Sequence, residues 1–228
     1  MAHPEFSTAK ACVFDAYGTL FDVHSAVGRG GKALGDKAAA VSELWRLKQL
    51  EYTWLRAITG AHVDFWQVTG DALDYALETH GVSDAALRDR LMELYLTLDA
   101  YPEVPDTLST LRDAGYQTAI LSNGAPKMLQ SAVDSAGLSD RLDQVLSVEE
   151  VGIFKPHDSI YQLAVDRLGV AAGEICFLSS NGWDAFSAAR FGFKVAWINR
   201  FEKAEERIPE KPQAAISTLD ELPPLLGV

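Results

Sequence analysis

Cys12-Val13-Phe14 is an apolar run too short for a helix and too hydrophobic for an exposed edge strand, and it stops abruptly at Asp15. Gly18 follows within three residues and signals a sharp turn. The pattern therefore sets one carboxylate at the C-terminal end of a buried strand. Open α/β sheets keep their ligand sites at that edge. Standing alone, an Asp in this position reads as readily as a cap of a loop or helix.

The later chain repeats the pattern. Residues 118–121, 145–148, 175–178, 194–198 and 214–217 read as further short strands, separated by segments of helical periodicity. The spacing predicts helices opening at Pro105, Pro126 and Pro156, and another between Gly182 and Gly192. Strands alternating with helices of this length imply parallel pairing through right-handed crossovers. The expected fold is α/β: a three-layer sandwich with a mostly parallel, Rossmann-like sheet.

Between the first strand and residue 100 the alternation is interrupted. Apolar residues recur at helical spacing from Val41 to Leu55, over 65–75 and over 87–98, with Gly60, Gly81 and a turn at Val82-Ser83-Asp84 between them. Ser83 or Asp84 is the expected N-cap there. The division that follows is a core of residues 1–22 and 100–228, with a helical cap at 23–99 inserted after the first strand. An insertion at that point can cover Asp15 and exclude water from it, which strengthens every charge interaction inside.

Composition narrows the function. A net charge of −12 and the lack of a Lys/Arg cluster argue against a nucleic-acid surface. An anionic ligand would have to be drawn in by a few local cations. No stretch is long and apolar enough to span a membrane, and residues 1–10 lack an apolar signal region, so a cytoplasmic setting is expected. Cys12 and Cys176 lie in apolar runs and read as reduced packing residues, and the five histidines lack ligand spacing, so no zinc site is expected.

Three predicted strands end in polar clusters: Asp15 to Thr19, Ser122-Asn123, and Ser179 to Asp184, with Lys155 in a loop between the last two. In a parallel sheet those ends share one edge. Each has an ordinary reading when taken singly. Ser122 and Asn123 suit a turn, Lys155 and Arg46 suit solvated positions, and Asp184 suits the first turn of a helix.

Together, Asp15-Ala16-Tyr17-Gly18-Thr19, Ser122-Asn123, Lys155-Pro156 and Ser179-Ser180-Asn181-Gly182-Trp183-Asp184 resemble the four motifs of the haloacid dehalogenase superfamily over nearly the full chain. Phosphatases of that superfamily carry a second Asp in the first motif. Tyr17 replaces it here, as in the 2-haloacid dehalogenase branch. The difference has a chemical reason: an alkoxide leaving group needs a general acid, whereas halide, a weak base, needs none. The single acid of the fourth motif, Asp184, also leaves too few carboxylates for Mg²⁺. The resemblance therefore implies no cofactor and no metal.

It further implies hydrolysis of short L-2-haloalkanoic acids to D-2-hydroxy acids through an ester on Asp15. Lys155 would sit beside Asp15 and keep it ionised. Tyr161 would orient the Lys, and Asp184 would orient the hydrolytic water. Thr19, Ser179 and Asn181 would hold the Asp15 carboxylate. Arg46 would meet the leaving halide. Ser122, Asn123 and nearby backbone N–H groups would bind the substrate carboxylate, and Ala16, Tyr17, Leu50, Phe65 and Trp183 would line the pocket. Leu47 departs from the Gln that many relatives have beside the Arg, which would alter the pocket's polar trim. The apolar and aromatic face with Leu50, Tyr52 and Trp54 would make a homodimer interface, as in relatives. A phosphatase-like or inactive member of the superfamily is the alternative.

Overall fold

The computed structural model describes residues 3–228. Six strands are β1 (Ala11–Phe14), β2 (Gln117–Ser122), β3 (Gln144–Ser147), β4 (Ile175–Ser179), β5 (Lys194–Ile198) and β6 (Ala214–Ile216). They form one sheet in the order β3-β2-β1-β4-β5-β6, parallel throughout. Every residue of β1 is buried, because β2 and β4 flank it and helices cover both faces. Cys12 faces Cys176 in register across β1 and β4, and both thiols are free.

The strand order runs one way from β1 to β3 and the other way from β4 to β6. Right-handed crossovers in opposite directions place their helices on opposite faces, which yields three layers. Here α5 (Val104–Asp113) packs on β2 and α6 (Pro126–Ser135) on β3, on the face used by the first crossovers, while α7 (Asp158–Leu168) crosses β2 and α8 (Gly182–Phe191) covers β4 and β5 on the other face. The chain ends in the short helix α9 (Leu222–Leu226).

Between β1 and α5 the chain is helical: α1 (Ser25–Gly30), a 3₁₀ run (Gly31–Lys37), α2 (Ala38–Thr59), α3 (Phe65–Thr79) and α4 (Ala85–Tyr95). Asp64 caps α3 by accepting from the Gln67 N–H, and Asp84 caps α4 by accepting from the Leu87 N–H, both at 2.9 Å. Helix α1 went unread in the sequence because its glycines mask helical periodicity. Gly30 is required by packing: a Cβ there would fall 2.4 Å from Leu94 Cδ1 on α4. The helical excursion leaves and rejoins the core at one place. Phe21 and Ala100 form an antiparallel bridge, with Asp22 N–H donating to Asp99 O at 2.8 Å and Tyr101 N–H to Leu20 O at 3.0 Å.

Strand expectations hold to within a residue or two, with three adjustments. Helix α7 opens at Asp158 and not at Pro156, because His157 supplies the acceptor for the Ser159 N–H. Val148 belongs to a 3₁₀ turn after β3, and Ser217 lies beyond β6.

Candidate active site

Asp15 follows β1 at the point where the strand order reverses, and its N–H donates to Leu178 O of β4 at 2.8 Å. This is the crevice that a doubly wound sheet leaves open to ligands. The next turn is tight. Ala16 O accepts from the N–H groups of Thr19, Leu20 and Phe21, and Gly18 adopts φ +89° among Ser180, Asn181 and Arg46. A side chain at Gly18 would be strained by that backbone angle.

The Asp15 carboxylate is only 6% exposed, and each of its oxygens has a partner. Oδ1 lies 3.2 Å from Lys155 Nζ. Oδ2 accepts from Asn181 Nδ2 at 2.7 Å and from the Thr19 hydroxyl at 3.1 Å. Lys155, 1% exposed, also donates to Asp184 Oδ2 at 2.8 Å. Asp184 is fully buried in the first turn of α8, and its Oδ1 accepts from the Tyr161 hydroxyl at 2.8 Å. Tyr161 is fixed by the rings of Phe177, Phe191 and Phe193, with centroids 5.6–6.0 Å away.

Burial acts on all three groups. It works against the Lys155 charge, but the adjacent Asp15 and Asp184 outweigh it and hold the ammonium above its ordinary range. It pushes the Asp184 carboxyl up, against the pull of Lys155. Burial first, and then the Asp184 carboxylate, lift the Tyr161 phenol well above its usual value, so it serves as a neutral donor. Asn123 Oδ1 accepts from the Lys155 N–H at 2.9 Å and so fixes the lysine's backbone.

The helical block contributes Arg46 from α2. Its Nη2 donates to Tyr17 O at 3.2 Å and to Asn181 Oδ1 at 3.1 Å, while Nη1 donates to Gln49 Oε1 at 2.7 Å. Two carboxylates and two cations are thus assembled in one crevice. A monoanion entering it meets no net opposing charge, although the whole chain carries −12.

The structure also corrects parts of the sequence reading. Ser179 accepts from the Asn181 N–H at 3.2 Å and shapes its own turn, without bonding to Asp15. Ser180 is the serine that reaches the nucleophile loop, with its N–H and hydroxyl on the Thr19 hydroxyl at 2.9 and 3.2 Å and its hydroxyl also donating to Gly18 O. Ser122 Oγ accepts from the Gly124 N–H at 3.1 Å at the end of β2, a contact that uses its oxygen and leaves the O–H proton for another acceptor. Leu47 is 55% exposed and faces away from the site, so it does not trim the pocket. Gln49, one helical turn from Arg46, is the polar residue there, and its amide also meets the Thr69 and Tyr95 hydroxyls at 2.8 and 3.1 Å.

Aromatic side chains wall the crevice. The Tyr17 ring lies 5.6 Å from both Tyr95 and Phe65, and its hydroxyl has no hydrogen-bond partner among the described residues. Phe65 opens α3 and also approaches Phe154 at 6.3 Å. Leu50 sits half-buried one turn beyond Arg46. Trp54 packs edge-on against Trp183 at 5.4 Å, and Tyr52 meets Tyr75 at 6.4 Å. Among the described residues no three His, Cys, Asp or Glu side chains are placed to hold a metal ion. The space between Asp15 and Asp184 is taken by the Lys155 ammonium.

Arg200, just beyond β5, was missed in the sequence. It donates to Thr19 O at 3.2 Å, pairs with Glu103 at 2.6 Å and stacks 3.9 Å over the Tyr101 ring. Its place past a strand end, on the same edge as the four motifs, was the available signal.

Comparison with known proteins agrees with this geometry. The model of the haloacid dehalogenase-like hydrolase family matches residues 9–192. The chain is 49% identical to (S)-2-haloacid dehalogenase 4A of Burkholderia cepacia, over 96% of this chain and 95% of that one. It is 47% identical to (S)-2-haloacid dehalogenase 1 of Pseudomonas sp. strain CBS-3, over 95% and 96%. Among solved structures, the L-2-haloacid dehalogenase of Xanthobacter autotrophicus with chloropropionic acid covalently bound superposes with a TM-score of 0.90 at 40% identity, covering 96% of this chain and 98% of that one.

Proposed function

The chain belongs to the haloacid dehalogenase-like hydrolases, and we propose that it hydrolyses short L-2-haloalkanoic acids to D-2-hydroxy acids through an ester on Asp15. The observation that carries this reading is Lys155 Nζ held between the buried carboxylates of Asp15 and Asp184. It sets a cation against the Asp15 carboxylate, with a second carboxylate beside it.

In the first step the Asp15 oxygen next to Lys155 attacks Cα. A carbon–oxygen bond forms as the carbon–halogen bond breaks, and halide leaves with its electron pair, so no proton is needed. Arg46 supplies positive charge for the departing halide. Leu50, Phe65 and Trp183 exclude water from the reacting carbon. Ser122, Asn123 and the backbone around Ala16 and Tyr17 orient the substrate carboxylate.

In the second step water adds to Cγ of Asp15. The other oxygen, held by Asn181 and Thr19 at 2.7 and 3.1 Å, becomes the oxyanion of the tetrahedral intermediate. Two donors already in place need no reorganisation as that charge grows. Asp184 orients the water and, with Tyr161, keeps Lys155 in position. Collapse breaks the bond between Cγ and the oxygen carried by Cα, the hydroxy acid leaves with one proton of the water, and the other passes to solvent as Asp15 returns to its carboxylate form.

The helices between residues 23 and 99 act as a cap, because Arg46, Leu50, Phe65 and Tyr95 come from them. No helix of the described residues is long and apolar enough to cross a membrane, and a cytoplasmic setting accompanies the reading. The exposed side chains of Leu47, Leu55 and Tyr75 on α2 and α3 form the face for a second copy of the chain, which light scattering would report as a doubled mass.

The decisive experiment is a single turnover of L-2-chloropropionate in ¹⁸O-water with enzyme in excess. The hydroxyl oxygen should come from Asp15, giving unlabelled lactate and label in the peptide carrying Asp15. Label in the first lactate, with none in that peptide, would mean direct attack by water and would reduce Asp15 to a base.

A further inference from the structure

Thr19 carries the hydroxyl that donates to Asp15 Oδ2, and each of its own polar atoms is held. Its N–H donates to Ala16 O at 3.2 Å. Its Oγ1 accepts from the Ser180 N–H at 2.9 Å, which turns the hydroxyl proton toward Asp15. Its carbonyl accepts from Arg200 Nη2 at 3.2 Å. The first two contacts come from the loop itself and from the end of β4. The guanidinium reaches Thr19 from a third segment.

Arg200 is in turn fixed at both ends. At its root, the Asn199 N–H donates to Ile216 O at 2.7 Å and ties this stretch to the β5–β6 edge. At its tip, the guanidinium lies 3.9 Å over the Tyr101 ring and pairs with Glu103 at 2.6 Å, the two charged side chains being 9% and 11% exposed. Burial pushes the Glu103 carboxyl up, but hydrogen bonds from its own backbone and from Arg200 hold it below the usual carboxylate range. The Tyr101 N–H holds the next carbonyl, Leu20 O, at 3.0 Å. Two successive carbonyls of the nucleophile loop are thus clamped by one stacked unit. A planar guanidinium can stack, pair and donate at once, whereas an ammonium cannot.

We propose that Arg200 is a positioning residue for the second step of the reaction: by fixing the Thr19 carbonyl it keeps the Thr19 hydroxyl aimed at Asp15 Oδ2. The inference rests on the reading that an ester forms on Asp15. The two steps ask different things of that hydroxyl. In the free enzyme Oδ2 shares the carboxylate charge, which falls as the ester forms, so the donor does not speed the first step. Water addition rebuilds charge on Oδ2, so the same donor speeds the second. Loosening Thr19 should therefore spare halide release and slow ester hydrolysis.

The test follows one turnover of L-2-chloropropionate by rapid quench, reading chloride, lactate and the mass of the intact enzyme together. Arg200→Lys keeps the charge but loses the fork. It should release chloride within about threefold of the unmodified rate, form lactate at least about tenfold more slowly and accumulate enzyme carrying the propionate ester. In the steady state kcat and KM should fall together, leaving kcat/KM nearly unchanged. In a Thr19→Val background Arg200→Lys should add no further slowing, because the hydroxyl it aims is gone. Glu103→Gln leaves the arginine and its stack in place and should give the same split at smaller size, which covers the case in which Arg200→Lys fails to fold. Equal slowing of chloride and lactate without ester would mean a purely structural role and overturn the proposal. So would unaltered kinetics in Arg200→Lys, or a full additional loss in the Thr19→Val background. Absence of chloride from L-2-chloropropionate in the unmodified enzyme would instead overturn the proposed reaction itself.

Discussion

Lys155→Met tests whether one buried ammonium organises the site. Met keeps most of the stem's volume and removes the charge that lies 3.2 Å from Asp15 and 2.8 Å from Asp184. Removing one partner of a buried ion pair costs about 3–5 kcal/mol. In a chain of this size that lowers Tm by roughly 6–20 °C, at about 2–4 °C per kcal/mol. The catalytic loss should be larger in proportion. Losing about 4 kcal/mol of electrostatic support at the reacting centre corresponds to roughly 10³ in kcat/KM. With its opposing cation gone, burial lifts the Asp184 carboxyl further, and it takes up a proton. The double variant Lys155→Met with Asp184→Asn separates the two effects. It removes the cost of protonating Asp184 in the fold and should regain about 2 kcal/mol of stability, a coupling expected for residues in contact, while turnover stays low. Urea unfolding and chloride release measure the two quantities. More than a tenth of normal activity in Lys155→Met, or a double variant no more stable than the single one, would refute the reasoning.

Because burial raises the Asp184 carboxyl, the acid limb of kcat/KM should lie above the ordinary aspartate range. The sign for stability is opposite: Asp184 takes up its proton in the folded protein before it would in the unfolded chain, so its protonation favours the fold as pH falls through that window. Acid inactivation there should be reversible, with the circular dichroism spectrum unchanged. Tyr161→Phe keeps the ring packing but removes a donor to Asp184, and should move the acid limb toward neutral; an unmoved limb would separate Tyr161 from Asp184. Gln49→Leu leaves the Thr69 and Tyr95 hydroxyls with a lost partner and frees the Arg46 guanidinium, and should cost about 2–4 kcal/mol in urea unfolding and raise KM. In-line attack inverts Cα, so L-2-chloropropionate should give D-lactate on chiral chromatography, and retained configuration would contradict the geometry. Exhaustive EDTA treatment should leave chloride release unchanged, since the ammonium holds the place between the two carboxylates.

The sheet was legible in the sequence because its strands are buried on both faces and read as uninterrupted apolar runs, each cut off by a polar cluster at the same end. Parallel strands permit Asp15, Lys155 and Asp184 to meet whatever their separation along the chain, and the resemblance of the four motifs was what paired them. What escaped were contacts set by side-chain reach. Ser179 and Ser180 are adjacent and chemically alike, and only the backbone direction after β4 decides which hydroxyl turns toward Thr19. Leu47 lies next to Arg46 in sequence but 100° around the helix, whereas Gln49 lies on the neighbouring face one turn on. Arg200 comes after the last recognised motif, and its ion pair with Glu103 joins segments that no local pattern connects.

The paired crossings at Phe21 and Ala100 have a consequence for how such a protein can change. Both ends of the helical excursion are fastened to each other before any helix begins, so the excursion closes on itself and the distance between β1 and β2 does not depend on its length. Loop closure costs only a few tenths of a kcal/mol more for moderate changes in contour length. The sheet with its nucleophile therefore behaves as a socket, and the helices as an interchangeable fitting. Replacing the fitting would exchange Arg46, Leu50, Phe65 and Tyr95, while Asp15, Lys155 and Asp184 stayed in register.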